Sequence, residues 1–413
     1  MLNDSTIYDV LIVGAGIAGT SAAVGLNNIG LRVALVDAQN PRSHEAAGER
    51  CSVVDFSSRV SAITPANAQW LEQIGMWSLL PEAQVQPYSD MEVWEELGSG
   101  RIHFNALEYQ CEALGYIVEN PALLSACFDA LDGSALTDCF FGSRIQTMGF
   151  DRQNAFREIT FEDGRLLKGR LMIGADGANS FVRKALNIPT REWDYQQSAI
   201  VCTVETEMPH SGTAWQRFSE QGPVAYLPLS DSLASDDLRH GHFSSIVWSL
   251  DTSQAKAKYA LDADAFRAAL TRALEAQLGD VTCVSERQIF PLRQRHAKSY
   301  LGEQALLLGD AAHTIHPLAG QGLNLGLNDV QVLVSILEEA RRKGYELAHP
   351  VLLKRYQRQR QGQNLTMMLG MEGFKRLFGS ADPLLRLLRN TGVNKVNEHT
   401  FIKRQIASRA MGL

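Results

Sequence analysis

Apolar positions near the start of the chain come in unbroken runs, not in alternation. Residues 8–13 (YDVLIV) and 31–36 (LRVALV) read as strands buried on both faces, and residues 17–29 between them keep helical spacing. Such a unit predicts two parallel strands joined by a crossover helix. The continuous pattern recurs at residues 166–173, ahead of a helix starting near Phe181, and at residues 304–308, ahead of one starting near Leu323. Between residues 198 and 250 the pattern changes. Residues 199–205, 214–218, 224–229 and 243–250 are short, β-rich segments separated by polar turns, which predicts an antiparallel sheet. An amphipathic helix at 262–278 follows, and residues 287–292 lead the chain back to the first kind of sheet.

A chain of 413 residues has room for two to three structural units with a sizeable core. Net charge of −7 and 45% hydrophobic residues describe an ordinary globular protein and give no sign of nucleic-acid binding. The cysteines at 51, 111, 127, 139, 202 and 283 form no CxxC pair, so neither a metal site nor a disulfide framework is expected. No signal peptide is read before residue 8 and no apolar run is long enough to span a bilayer, so the expected location is cytoplasmic. Charge is unevenly placed. Residues 351–413 hold twelve Lys/Arg, Arg360 among them, against three acids, a net of +9, which leaves −16 for the rest. Leucines, methionines and phenylalanines interleave with these charges. Two readings stand: a helical cap with a solvated basic face, or peripheral contact with the inner face of the cytoplasmic membrane.

Three glycine-rich junctions carry the chemistry. Gly14, Gly16 and Gly19 form a GxGxxG turn directly after the first strand, and Asp37 ends the second strand twenty-three residues after Gly14. Gly14 serves the tight turn, Gly16 lets a pyrophosphate approach the backbone, Gly19 allows helix–strand packing, and Asp37 suits ribose hydroxyls. A second junction, Asp176-Gly177 before the helix near Phe181, would by itself fit a glycine-rich turn with Asn/Ser capping, but Asp176 beside the two other junctions points to cofactor contact. The third is Gly309-Asp310, followed by Pro317, Gly320, Gln321, Gly322, Leu323 and Asn324. An Asp at a strand's carboxyl end suits a ribityl hydroxyl, and the bare backbone at Gly320 and Gly322 suits a flat ring. The helix beginning near Leu323 directs its positive end at the negative charge of a reduced flavin.

Together the three junctions resemble the flavin-dependent aromatic hydroxylases, the class of para-hydroxybenzoate hydroxylase, over nearly the whole chain. The implied fold is α/β: a Rossmann-like FAD-binding domain with an inserted antiparallel-sheet substrate domain and a helical C-terminal region. The corresponding boundaries are 1–80, 109–190 and 289–350 for the first, 81–108 and 191–288 for the second, and 351–413 for the third. FAD is the implied cofactor and NAD(P)H the transient co-substrate. Residues 59–63, 115–120, 173–180, 227–230 and 309–325 are similar to the ubiquinone-biosynthesis branch, whose members act on a polyprenylated phenol or quinol ring. Residues 193–196, 244–250 and 370–374 look most like hydroxylases acting at C5, while residues 215–218 with Gly222 and Pro223 look more like those acting at C6.

The resemblance implies ring hydroxylation with O2, chemistry supplied mainly by the cofactor while the protein positions the ring and excludes water. Pro317 and Gly320 are the expected wall where substrate and cofactor meet, with Asp176 near FAD and the nicotinamide donor. Arg59 is either a pyrophosphate or nicotinamide contact or a surface arginine. His313 and His316 are expected to be hydrogen-bonded structural histidines. The aromatic residues Trp193, Tyr195, Trp215, Phe218, Tyr226 and Trp248 are expected in the sheet's core or in a pocket. Other ubiquinone-biosynthesis proteins and a homo-oligomer are the expected protein partners. Two rivals remain: a halogenase or prenyl reductase on the same scaffold, and a flavin-fold protein that escorts a prenyl lipid without chemistry. Halogenases of this shape share a Trp-x-Trp-x-Ile segment, and no two tryptophans here lie two apart.

Overall fold

In a computed structural model, which describes residues 6–43, 49–96, 101–233, 237–314 and 321–379, the continuous apolar runs form the middle of a parallel sheet. Strands Leu301–Gly302, Ala305–Leu307, Leu166–Gly174, Ile7–Val13, Val33–Asp37 and Thr137–Phe141 lie side by side in that order. Ile7–Val13 runs parallel to both Leu166–Gly174 and Val33–Asp37, and Ala305–Leu307 runs parallel to Leu166–Gly174. Val10, Leu11, Ile12, Leu35 and Ile173 are fully buried, as central parallel strands require. Helix Ile17–Asn28 packs between helices Asn120–Asp132 and Gln321–Lys343.

The second sheet follows the order His313–Thr314, Gln288–Ala297, Thr190–Thr206, Phe243–Asp251, Gly222–Pro228, Thr213–Ser219, Asp90–Glu95 and Arg101–Asn105. It is mostly antiparallel, but Thr213–Ser219 pairs in parallel with Asp90–Glu95. Strand Thr190–Thr206 is seventeen residues long and begins well before the segment the alternation marks. A register shift between Asp194 and Gln197, with Gln196 at φ 53°, breaks the two-residue period there. Gln288–Ala297 stays in this sheet, paired along Thr190–Thr206. Val85–Tyr88 instead joins a small third sheet with Val60–Ile63 and Gly115–Glu119.

One face of the second sheet, with Ile200, Cys202, Val204, Tyr226, Ile246 and Trp248, packs on Phe266 and Leu270 of helix Ala263–Ala273. Asp262 caps that helix by accepting the Ala265 N–H at 2.7 Å, and left-handed Glu275 and Ala276 end the chain's helical run short of residue 278. On the opposite face Leu229 and Phe243 meet Val53, Phe56, Ala62 and Ile117.

Helix Pro350–Gly379 is seated by Leu353, Tyr356 and Met368, all buried, and the Tyr356 hydroxyl donates to the Leu307 carbonyl at 2.9 Å. It exposes Val351, Leu365 and Leu369. Arg360, counted with the exposed basic residues in the sequence, is instead 3% exposed, because it shares the helix's core stripe. Residues 380–413 lie outside the described residues. Among the described residues no helix is long and apolar enough to cross a membrane.

Candidate active site

Parallel pairing brings the three glycine junctions to one edge of the first sheet. The Gly14 N–H donates to Val36 O at 2.8 Å, Ala175 N–H to Val13 O at 2.7 Å, and Leu308 N–H to Gly174 O at 3.0 Å. All three junctions therefore leave their strands at carboxyl ends, where an open α/β sheet binds ligands. Gly14 sits at φ +108°, and a Cβ there would lie 2.4 Å from the Ala175 carbonyl oxygen, so this turn accepts only glycine. A Cβ at Gly19 would strike the Gly14 carbonyl. Gly16 is exposed, and a Cβ on it would meet nothing within 4 Å. The turn is thus packed tightly underneath and open above, the arrangement a pyrophosphate needs.

The three acids differ in how far the protein itself occupies them. Asp37 accepts the Ala15 N–H at 2.8 Å and the Gln39 N–H at 2.9 Å, which fixes its carboxylate beside the first glycine turn. Asp176 spends both oxygens on the start of helix Phe181–Ala185, accepting from Ser180 Oγ, Phe181 N (2.6 Å) and Val182 N (3.0 Å). Ser180 is the cap of that helix, its Oγ accepting the Arg183 N–H at 2.9 Å, and Asp176, expected at the cofactor, is committed to the same helix start. Burial raises its pKa above the ordinary carboxylate value, with those hydrogen bonds opposing. Asp310 accepts no side-chain hydrogen bond from the described residues and is exposed. Crowding by protein raises its pKa, and the charges of His313 and Arg59 pull it down. Arg59 is exposed yet lies close enough to act on Asp310, so the structure brings these two together.

Gly309, at φ +57°, turns the chain beneath Asp310. A Cβ on it would sit 3.5 Å from Ala18 Cβ and 3.9 Å from Gly326 Cα, so the first turn of helix Ile17–Asn28 and the second turn of Gln321–Lys343 close on it from two sides. The first four N–H groups of a helix lack intrahelical partners, which places those of Gln321, Gly322, Leu323 and Asn324 at the head of Gln321–Lys343. The Asn324 side chain is not free for a cofactor. It is buried, accepts from Thr64 N at 3.0 Å and Asn67 Nδ2 at 2.9 Å, and donates to Ala62 O at 2.7 Å. Its contribution to a ligand is limited to its backbone. Pro317 and Gly320, the expected wall, and His316 lie outside the described residues.

His313 is a buried structural histidine with a partner that the sequence did not reveal: Nε2 lies 2.5 Å from Asp329 Oδ2. That oxygen also accepts the Gly309 N–H at 3.0 Å. Arg183, equally unforeseen, joins the second and third junctions by donating to Ala178 O at 2.8 Å and Ala311 O at 2.7 Å. A signal for Asp329 was present. It falls on the stripe of Gly326, Leu333 and Ala340, a charge among core positions of an otherwise apolar helix face.

The residues present fit FAD. Gly14 and Gly16 with the head of helix Ile17–Asn28 suit a pyrophosphate, Asp37 a ribose, Asp310 a ribityl chain, and the head of Gln321–Lys343 the flavin ring. Comparison with known proteins agrees: the family model described as FAD binding domain matches residues 7–367, and the chain belongs to this family of FAD-dependent monooxygenases. It is 34% identical to 3-demethoxyubiquinol 3-hydroxylase of Escherichia coli (strain K12) over 414 residues, covering 100% of both chains. It is 34% identical to the ubiquinone hydroxylase UbiL of Rhodospirillum rubrum over 406 residues, covering 98% of this chain and 90% of the relative. Among solved structures, p-nitrophenol 4-monooxygenase PnpA of Pseudomonas putida DLL-E4 superposes with a TM-score of 0.76 at 18% identity, covering 98% of each chain. The chain is accordingly a flavin-dependent monooxygenase of the ubiquinone-biosynthesis hydroxylases, with FAD as its cofactor.

Proposed function

We propose that the protein hydroxylates the ring of a polyprenylated quinol, using NAD(P)H and O2. The observation that carries this reading is the relative named for 3-demethoxyubiquinol hydroxylation, which matches this chain end to end. The second sheet supports an apolar aromatic substrate. On the face that carries Phe243 and Leu229, the central strands leave Val201, Ala225, Leu227 and Val247 only half-buried, although their neighbours on the opposite face are buried. Thr203 and Ser245, paired across two strands on this face, bury hydroxyls that have no hydrogen-bond partner among the described residues. Ala62 links this face to the flavin helix: it belongs to the same apolar cluster as Phe243, and its carbonyl accepts from Asn324. We read the half-buried strip as the floor under the substrate ring.

FAD supplies reduction by the nicotinamide donor and activation of O2. The protein's own part is positional. Asp37 and Asp310 would hold the cofactor's hydroxyls, Arg59 would offer positive charge to a phosphate or the nicotinamide donor, and the N–H groups at 321–324 would favour negative charge on a ring bound at that helix head. The apolar floor keeps water away from the reacting oxygen.

Hydroxylation at C5 of an earlier phenol is the second reading, favoured by the segments at 193–196, 244–250 and 370–374. The two are separated by mass spectrometry of the quinone intermediates that accumulate when this chain is deleted from its source cells. An intermediate lacking only the last ring oxygen supports the quinol reading, and a phenol lacking the C5 oxygen supports the other. An unchanged quinone pool would count against both.

A further inference from the structure

Arg360 is a buried charge that none of this chemistry uses. It lies on helix Pro350–Gly379, and its Nε donates to Asp329 Oδ1 at 2.6 Å. Its other nitrogens reach Gln363 Oε1, Asn364 Oδ1 at 2.8 Å and the Leu325 carbonyl at 3.3 Å. Asn364 in turn donates to the same Asp329 oxygen at 3.1 Å and to the Tyr300 hydroxyl at 3.2 Å. The opposite oxygen of Asp329 holds the Gly309 N–H and His313. One carboxylate is therefore gripped by a guanidinium on one side and, on the other, by two residues that bracket Asp310.

We propose that Arg360 is a positioning residue for the flavin-binding turn: it fixes Asp329, Asp329 fixes Gly309 and His313, and the Asp310 carboxylate is thereby aimed at the cofactor. The guanidinium suits this task because its donors stand in a rigid planar fork, so a single side chain can orient a carboxylate, an amide and a carbonyl together. The helix carrying it also anchors the strand leading into the turn, through Tyr356 and the Leu307 carbonyl. Among the described residues no side-chain hydrogen bond fixes the Asp310 carboxylate, which makes the backbone on either side the restraint that Asp329 can set.

The test is FAD titration of apoprotein, read by flavin fluorescence quenching, with apoprotein melting followed in parallel. Arg360→Met is expected to weaken FAD binding about tenfold or more, by analogy with loss of groups that orient a ligand's direct contacts. Arg360→Lys should recover part of that loss and alter the flavin absorption envelope less. Arg355→Met removes an arginine of the same helix that pairs with half-buried Glu339 at 2.6 Å, away from Asp329, and should leave FAD affinity within about twofold. Combining Arg360→Met with Asp329→Asn should weaken binding no further than the worse single change. Unchanged FAD affinity in Arg360→Met overturns the proposal, as does an equal loss in Arg355→Met at matched melting temperature, or an additive double variant. If Arg360→Met fails to fold, Arg360→Lys carries the test, and FAD affinity and spectrum identical to the parent overturn it.

Discussion

His313 Nε2 lies 2.5 Å from Asp329 Oδ2 with both side chains closed to solvent, and the same oxygen takes the amide of Gly309. Burial pushes the Asp329 carboxyl up, but His313 and Arg360 overcome it and lower its pKa from 3.8 to about 2. A depressed carboxylate stabilises the fold fully above a pH of about 4 and loses that contribution as pH falls toward about 2. Acid titration of melting temperature should show this loss, and Asp329→Asn should flatten it while starting about 3–5 kcal/mol less stable. An acid slope unchanged in Asp329→Asn would remove this residue as its source.

Asp310 makes no side-chain hydrogen bond within the described protein, so removing it should cost ligand and not fold. Asp310→Ala is expected to lose about 1.5–3 kcal/mol of FAD binding, roughly ten- to a hundredfold in affinity, with little change in apoprotein melting. Equilibrium dialysis of FAD against the apoprotein measures it. Retention of flavin at parental affinity would take Asp310 out of the site.

The glycines of the first turn should separate fold from binding. Gly14→Ala forces a methyl to within 2.4 Å of the Ala175 carbonyl at φ +108°, so it should yield little folded protein. Gly16→Ala meets nothing within 4 Å, so its apoprotein should melt as the parent does while FAD binding falls. Normal FAD affinity in Gly16→Ala would mean that the pyrophosphate does not pass over this residue.

The half-buried floor of the second sheet gives a test of the substrate site. Val247→Trp should fill it, leaving FAD binding intact while product formation falls and NAD(P)H oxidation no longer yields hydroxylated ring. Parallel assays of NAD(P)H consumption and product by mass spectrometry decide it. Full coupling in the variant would place the ring elsewhere.

Exposed Val351, Leu365 and Leu369 on the Pro350–Gly379 helix keep peripheral membrane contact as an expectation for this region. Co-sedimentation with anionic vesicles should occur at low salt and weaken at high salt, and Leu365→Gln with Leu369→Gln should reduce it. Failure of the parent protein to sediment with anionic lipid at low salt would end this reading.

By itself the sequence determined what is local. The buried parallel strands, the tight turn at Gly14 and the placement of Asp37 at a strand end follow from apolar runs and turn chemistry within a few residues. The resemblance then attached a cofactor to those positions. Tertiary structure decided which polar groups are already occupied. Asp176 and Asn324 look equally available in sequence, yet one carboxylate is committed to a helix start and the other side chain ties residues 62–67 to the flavin helix. Arg360 reads as one more surface charge until the chain folds, when Asp329, 31 positions earlier, becomes its partner. A charge can be buried only where distant groups converge to pair it, and no short stretch of sequence states which stripes of two helices will meet.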